Sequence, residues 1–314
     1  MSRGCLAEYL CDEFSVLGFY GYQVIEHAVE NTEYLKSILL RDICDLKESY
    51  MVDNTILLQQ YGAGNWESMW KCRDCTIPVW KRLFKTDKLL SSWDGLSYVT
   101  CEMQYELARE LNKYGEPNWI HRDQSCNNSN LADTIQGYLS LSNAGSNEYS
   151  TVFYVPKNGS AQNMVDEFNK RFVQTKSRYG REIKKLYDVD NYHVFDDEQM
   201  DWIRHNCKFE KPILKEGDLL LWCSSLPHAA APNYDILSCN EVINDRLGMF
   251  VSMMPKKKVD CAVLSNRRSL YKLGLTSSHN VKEPLLFPFS NYGEKQKKWP
   301  LSLDMKNLCY SLIT

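Results

Sequence analysis

Three side chains in this 314-residue sequence could hold a metal ion: His121, Asp123 and His228. His121 and Asp123 lie in the stretch WIHRDQS. In an extended segment side chains alternate, so His121 and Asp123 project to one face and Arg122 to the other. That is a two-ligand clip. His228 ends a second segment, GDLLLWCSSLPH, in which a glycine-aspartate turn starts an apolar run. Two imidazoles and one carboxylate on one face of an octahedral ion leave three positions open, which suits Fe(II) and dioxygen chemistry.

Arg246 opens a β-prone run, RLGMFVSMMP. A guanidinium on a buried strand must meet an anion, and its planar fork matches a carboxylate better than a lysine would. Gln136, in QGYLSL, lies one strand beyond the HxD clip. The other four histidines, His27, His193, His205 and His279, lack a ligand-like partner at useful spacing and read as surface or satisfied structural residues. Gln124 alternates away from Asp123 and could only support the metal ligands from behind. Trp222 reads as core. Cys72 and Cys75 form a CxxC, but no second ligand pair at zinc spacing accompanies them.

Taken together, SWDGL, HRDQS, QGYLSL, VPKNGS and GDLLLW…PH…PN…R resemble the phytanoyl-CoA dioxygenase-like family of Fe(II)/2-oxoglutarate-dependent dioxygenases, over most of the chain. The resemblance implies a mainly β protein with flanking helices around a double-stranded β-helix (jelly-roll, cupin-like) core. It implies His121, Asp123 and His228 as catalytic metal ligands, and Fe(II) and 2-oxoglutarate as cofactor and cosubstrate. Arg246 would hold the distal carboxylate of 2-oxoglutarate, and Gln136 occupies a position where family members face the cosubstrate. The reaction implied is hydroxylation of a small organic or acyl substrate by O2, with release of succinate and carbon dioxide. The family's Gly-Ser-His segment reads Gly159-Ser160-Ala161 here, a difference that bears on the substrate and leaves the metal ligands intact. TSSH, ending at His279, resembles the start of the family's C-terminal extension. Two alternatives stand beside this reading: an oxygenase of the same chemistry acting on protein or nucleic acid, and a non-catalytic β-helix module for binding or scaffolding.

Ligands drawn from a third of the sequence must meet at one ion, so the expectation is a single domain over 1–314. It divides into a helical flank over about 1–92, a β-helix core over about 93–255 with a helical insertion over about 161–210, and an irregular extension over about 256–314. Hydrophobic residues make up 44% and charged residues 25%, the balance of a globular protein with a large core. A net charge of −3 offers no field for a phosphate backbone and argues against nucleic acid as partner. Lys256, Lys257 and Lys258 read as a solvated turn, with a nuclear role left open. No stretch has the ~20 apolar residues of a membrane span, and the N-terminal residues lack a signal-peptide core. Twelve scattered cysteines fit a reducing compartment, so the expected location is intracellular, in the cytoplasm.

Within that frame, helices are expected over 6–14, over 75–90 with a break at Pro78, and from Asn31 onward, where Leu35, Ile38, Leu39, Ile43 and Leu46 recur at helical spacing. Strands are expected over 18–25 and 97–101, with a turn at Trp93-Asp94-Gly95. The runs 134–141 and 150–156, separated by NAGSNE, read as a hairpin. An inserted turn is expected at 234–244.

Overall fold

The computed structural model describes residues 12–50, 57–114, 117, 119–124, 130–132, 134–145, 148–172, 192–232, 243–289 and 301–314. The expected helix over 6–14 and the inserted turn therefore fall mostly outside the described residues. Helix α1 (Ser15–Tyr20) leads into strand β1 (Tyr22–Ile25), so the strand expected from Gly18 begins four residues later. Helix α2 (Thr32–Tyr50) starts immediately after Asn31, and all five of its predicted apolar positions are buried. After β2 (Leu57–Leu58), helix α3 (Glu67–Phe84) runs unbroken through Pro78. A proline there removes one backbone hydrogen bond, but Cys72, Thr76, Val79, Trp80 and Leu83 of the same helix are all buried, and that packing outweighs the loss.

Strands β3 (Leu89–Ser91) and β4 (Leu96–Val99) are followed by helix α4 (Cys101–Tyr114), which the sequence reading passed over. Next come β5 (His121–Arg122), β6 (Ile135–Ser140), β7 (Ser150–Pro156), helix α5 (Ala161–Phe172) and β8 (His193–Val194). A helix over Asp197–Asn206, closed at its N-terminus by the Asp196 and Gln199 capping box, leads to β9 (Cys207–Glu210). Strands β10 (Leu219–Cys223), β11 (His228–Ala231) and β12 (Arg246–Pro255) complete the sheets. The tail beyond Pro255 is not irregular throughout, since Cys261–Tyr271 and Leu303–Ile313 are helical.

The strands form two antiparallel sheets. One has the order β1-β10-β6-β12-β4-β2, with β3 also paired to β12; the other has the order β8-β5-β11-β7-β9. From β4 to β7, and again from β9 to β12, successive strands fall alternately in the two sheets, the winding of a double-stranded β-helix. The runs 134–141 and 150–156 are thus not a hairpin: β6 and β7 belong to different sheets. Both are buried along their whole length, so the apolar character that suggested pairing comes from facing core and covering elements at once. Helix α3 lies on the larger sheet where Gly137 permits close approach; a Cβ there would meet Trp80 Cζ2 at 2.9 Å and the Val251 carbonyl at 2.8 Å. The insertion is likewise woven into the fold, because β9 pairs with β7 and β8 with β5. Strands β1 to β3 of the N-terminal flank also join the sheets, so the flank does not stop at the sheet edge. Among the described residues no helix is long and apolar enough to cross a membrane.

Candidate metal centre

His121 on β5 and His228 on β11 are directly opposed in an antiparallel pair, which puts both imidazoles on the same face of the smaller sheet. Their ring centroids are 4.3 Å apart. Asp123 leaves β5 just beyond His121, and its backbone N–H is held by the Ser224 carbonyl at 2.8 Å. Its carboxylate turns back onto both rings: His228 Nε2 lies 3.2 Å from Oδ2, and His121 Nε2 lies 3.7 Å from Oδ1. One ligand atom from each of the three residues lies within 4.8 Å of the others.

The hydrogen bonds around the rings determine what this cluster can hold. His121 Nδ1 sits 2.9 Å from the Trp119 carbonyl, and His228 Nδ1 sits 2.9 Å from the Leu226 carbonyl. A carbonyl accepts only, so each Nδ1 carries the proton and in the neutral imidazole Nε2 presents a bare lone pair. Burial, reinforced by the neighbouring His228, pushes the His121 pKa down to about 4, so this ring is neutral at physiological pH. Burial pushes Asp123 up, but His279, His121 and His228 outweigh it and hold the carboxyl well below the usual range. Two lone pairs and an anion therefore converge in a buried place. A cation is what such a donor set fits, and two nitrogens with one carboxylate suit Fe(II).

Gln136, expected beside the cosubstrate, donates from Nε2 to Asp123 Oδ2 at 2.7 Å. It steadies one carboxylate oxygen and leaves Oδ1 turned toward His121. Gln124 also lies behind the ligands: it donates to the Asn130 carbonyl at 2.6 Å and accepts from Ser224 Oγ at 2.6 Å. Trp222 is core, as expected, yet its ring also meets His228 edge-on at 5.6 Å.

His279 departs from the sequence reading. Its Nδ1 is 3.9 Å from Asp123 Oδ1, so it stands at the rim of the centre. It is delivered by the segment after Cys261–Tyr271, where Ser277 N–H donates to the Trp93 carbonyl and Trp93 N–H donates to Ser277 Oγ. TSSH was the available signal, but without the strand pairing nothing linked it to the HxD clip. His193 is buried against Gln199 at 2.9 Å and His205 is exposed, as read. Asp94 is buried, accepting from Gly95 N–H at 2.6 Å and from Gln59 Nε2 at 3.1 Å, and the turn expected at 93–95 is not formed. Cys72 and Cys75 are free, and among the described residues the only metal-type cluster is the His-Asp-His group.

Arg246 stands on the facing sheet and reaches across the interior. It is 1% exposed, donates to Ser97 Oγ at 2.9 Å and to Thr151 Oγ1 at 3.4 Å, and lies over the rings of Tyr138 (4.4 Å) and Tyr149 (5.3 Å). Its Nε has no hydrogen-bond partner, and no carboxylate among the described residues pairs with it. Leaving a buried cation unpaired costs several kcal/mol. Thr151 is two residues along β7 from Phe153, the residue opposite His228. Both therefore face the same way, about 7 Å apart along the strand. Arg246, through Thr151, and His228, through Phe153, thus face one interior between the two sheets.

No family model matches the chain, and no curated protein sequence matches it. Solved structures of similar backbone include iron-bound EctD from S. alaskensis, with TM-score 0.43 and 10% identity over 81% of this chain and 78% of that one. GIG2 (DUF1479) from Candida albicans gives 0.49 and 13% over 82% and 66%. HygX from Streptomyces hygroscopicus, with nickel and 2-oxoglutarate bound, gives 0.42 and 11% over 79% and 88%. At such scores the likeness is one of general shape and transfers no function.

Proposed function

We propose that this chain is an Fe(II)- and 2-oxoglutarate-dependent oxygenase acting on a small molecule, with His121, Asp123 and His228 as metal ligands and Arg246 as anchor for the distal carboxylate of 2-oxoglutarate. Membership of the phytanoyl-CoA dioxygenase-like family, and hydroxylation as the outcome, are part of the same proposal and rest on the sequence motifs. The observation that carries the reading is the buried, acid-free guanidinium of Arg246 facing a converging His-Asp-His donor set across one interior. A scaffold or binding module has no use for that pair of features.

Bound iron with its cosubstrate supplies oxidation of a C–H bond by dioxygen, coupled to decarboxylation of 2-oxoglutarate. The chain's own residues bind and orient. The Trp119 and Leu226 carbonyls hold each imidazole as the tautomer with Nε2 free, Gln136 fixes the Asp123 carboxylate, and Ser97 and Thr151 aim the guanidinium. Phe153 and Trp222, packed around His228, keep water from that ligand's flank.

The test is anaerobic titration of Fe(II)-loaded protein with 2-oxoglutarate, followed by its visible charge-transfer absorbance, then succinate release in air. A saturable band and succinate formation are expected. No band with the parent protein, under conditions where Fe(II) is shown to be bound, would sink the cosubstrate assignment.

A further inference from the structure

Trp119 combines properties that packing does not account for. Its backbone lies in the left-handed region, with φ of 69°, which a side chain disfavours and glycine accepts freely. That conformation turns the Trp119 carbonyl onto His121 Nδ1, and a glycine would supply the same carbonyl without strain. Burial does not explain the indole either, since Trp119 is 54% exposed. The reason lies in where the ring stands. Its centroid is 4.3 Å from that of His121, with the planes 31° apart, and Tyr192 closes on both at 5.6 Å from Trp119 and 5.1 Å from His121. One side of the indole covers a metal ligand, and more than half of the residue remains open to solvent.

We propose that Trp119, with Tyr192 beside it, is the stacking wall of the substrate site, and that the substrate is a small molecule bearing a planar, π-bonded ring. The inference rests on the reading of His121, Asp123 and His228 as the metal centre. An exposed indole offers a broad flat face whose quadrupole favours offset stacking or an edge-on ring. A ring stacked on the open side has only the indole between it and the imidazole of His121, so it is held close to a metal ligand. His279, at the rim by Asp123 Oδ1, supplies a polar group to the same neighbourhood.

The experiment uses full-length protein labelled with 5-fluorotryptophan and loaded with Ni(II) and 2-oxoglutarate, with the Trp119 fluorine resonance assigned from Trp119→Phe. Indole is the planar probe and cyclohexanol the non-planar control. Indole should shift the Trp119 resonance saturably and cyclohexanol should not. In titration calorimetry, which needs no Trp119 reporter, Trp119→Gly should weaken indole binding about ten-fold, about 1.4 kcal/mol, while Ni(II) and 2-oxoglutarate affinities stay within about two-fold of the parent, a difference of under about 0.5 kcal/mol; Trp119→Phe should keep most of the indole binding. Equal responses to both probes, no response to indole, or indole binding unchanged in Trp119→Gly would each overturn the proposal. So would a Trp119→Gly protein that loses Ni(II), because the side chain would then be a prop for His121. Failure of the parent to bind Ni(II) or 2-oxoglutarate would instead overturn the metal-centre reading beneath it.

Discussion

Arg246 and Arg267 are both buried, at 1% and 0% exposure, yet their surroundings differ in kind. Arg267, in the helix Cys261–Tyr271, spends its guanidinium on backbone carbonyls: Nε donates to Ile313, Nη1 to Val281, and Nη2 to Ser91 and Leu312. It ties three separate segments together. Arg73 behaves likewise, donating to the Gly64 and Asp94 carbonyls. Arg246 has two hydroxyl partners and no carbonyl, while an unpartnered Nε is common to it and Arg73. Carbonyls that close around a guanidinium mark a structural role, whereas two hydroxyls leave its charge uncompensated, as the proposed anion site requires.

The sharpest way to break this contrast is to remove each arginine. Arg246→Ala should weaken 2-oxoglutarate binding by about 2 to 5 kcal/mol, roughly thirty-fold to several thousand-fold. Because the unpaired charge goes with it, thermal stability should hold or rise. Anaerobic 2-oxoglutarate titration and a melting curve on the same sample check both, and a large stability loss with unchanged binding would make Arg246 a second Arg267.

Acid sensitivity tests the packing role of a buried histidine away from the ligands. Burial pushes His193 down to about 4, partly offset by its hydrogen bond with Gln199. The folded state therefore refuses a proton that the unfolded chain takes up below its ordinary value near 6.5, so stability falls as pH drops through that window and levels off near 4. The contribution is up to roughly 3 kcal/mol. Urea unfolding at pH 7 and pH 4.5 should show a smaller difference for His193→Gln than for the parent.

Arg267→Leu should cost about 2 to 3 kcal/mol through the carbonyls it strands, with 2-oxoglutarate affinity unchanged. Denaturant midpoints and the anaerobic titration together decide this, and weakened cosubstrate binding would erase the distinction between the two arginines. The smallest effect is expected at Gln136→Leu. Loss of its bond to Asp123 should lower metal affinity about ten-fold, leaving 2-oxoglutarate affinity at saturating metal unaltered. Ni(II) titration calorimetry measures it, and an effect on 2-oxoglutarate alone would make Gln136 a cosubstrate contact rather than a support for Asp123.

The local sequence determined a good deal of this molecule. The spacing in HRD marked His121 and Asp123 as a pair, although a bend after β5 rather than strand alternation turns Asp123 back; an apolar run delivered His228, a guanidinium at the head of a β-prone strand marked Arg246, and 3.6-residue spacing located α2. Each is a short-range regularity of the backbone, legible without knowing the fold. Tertiary structure decided the rest. Strands β6 and β7 are separated by a short loop yet lie in different sheets, because two-sided burial rather than loop length chose their partners. Pro78 did not break α3, because the packed face of the helix outweighs one lost hydrogen bond. Gln136 turned to Asp123, a choice made by the register of β6 against β10 and β12. His279 reached the metal centre only because Ser277 docks on Trp93, a contact between segments far apart in the chain that no periodicity announces. Periodicity is written into each segment, while the meeting of segments is settled by which faces the whole chain can bury together.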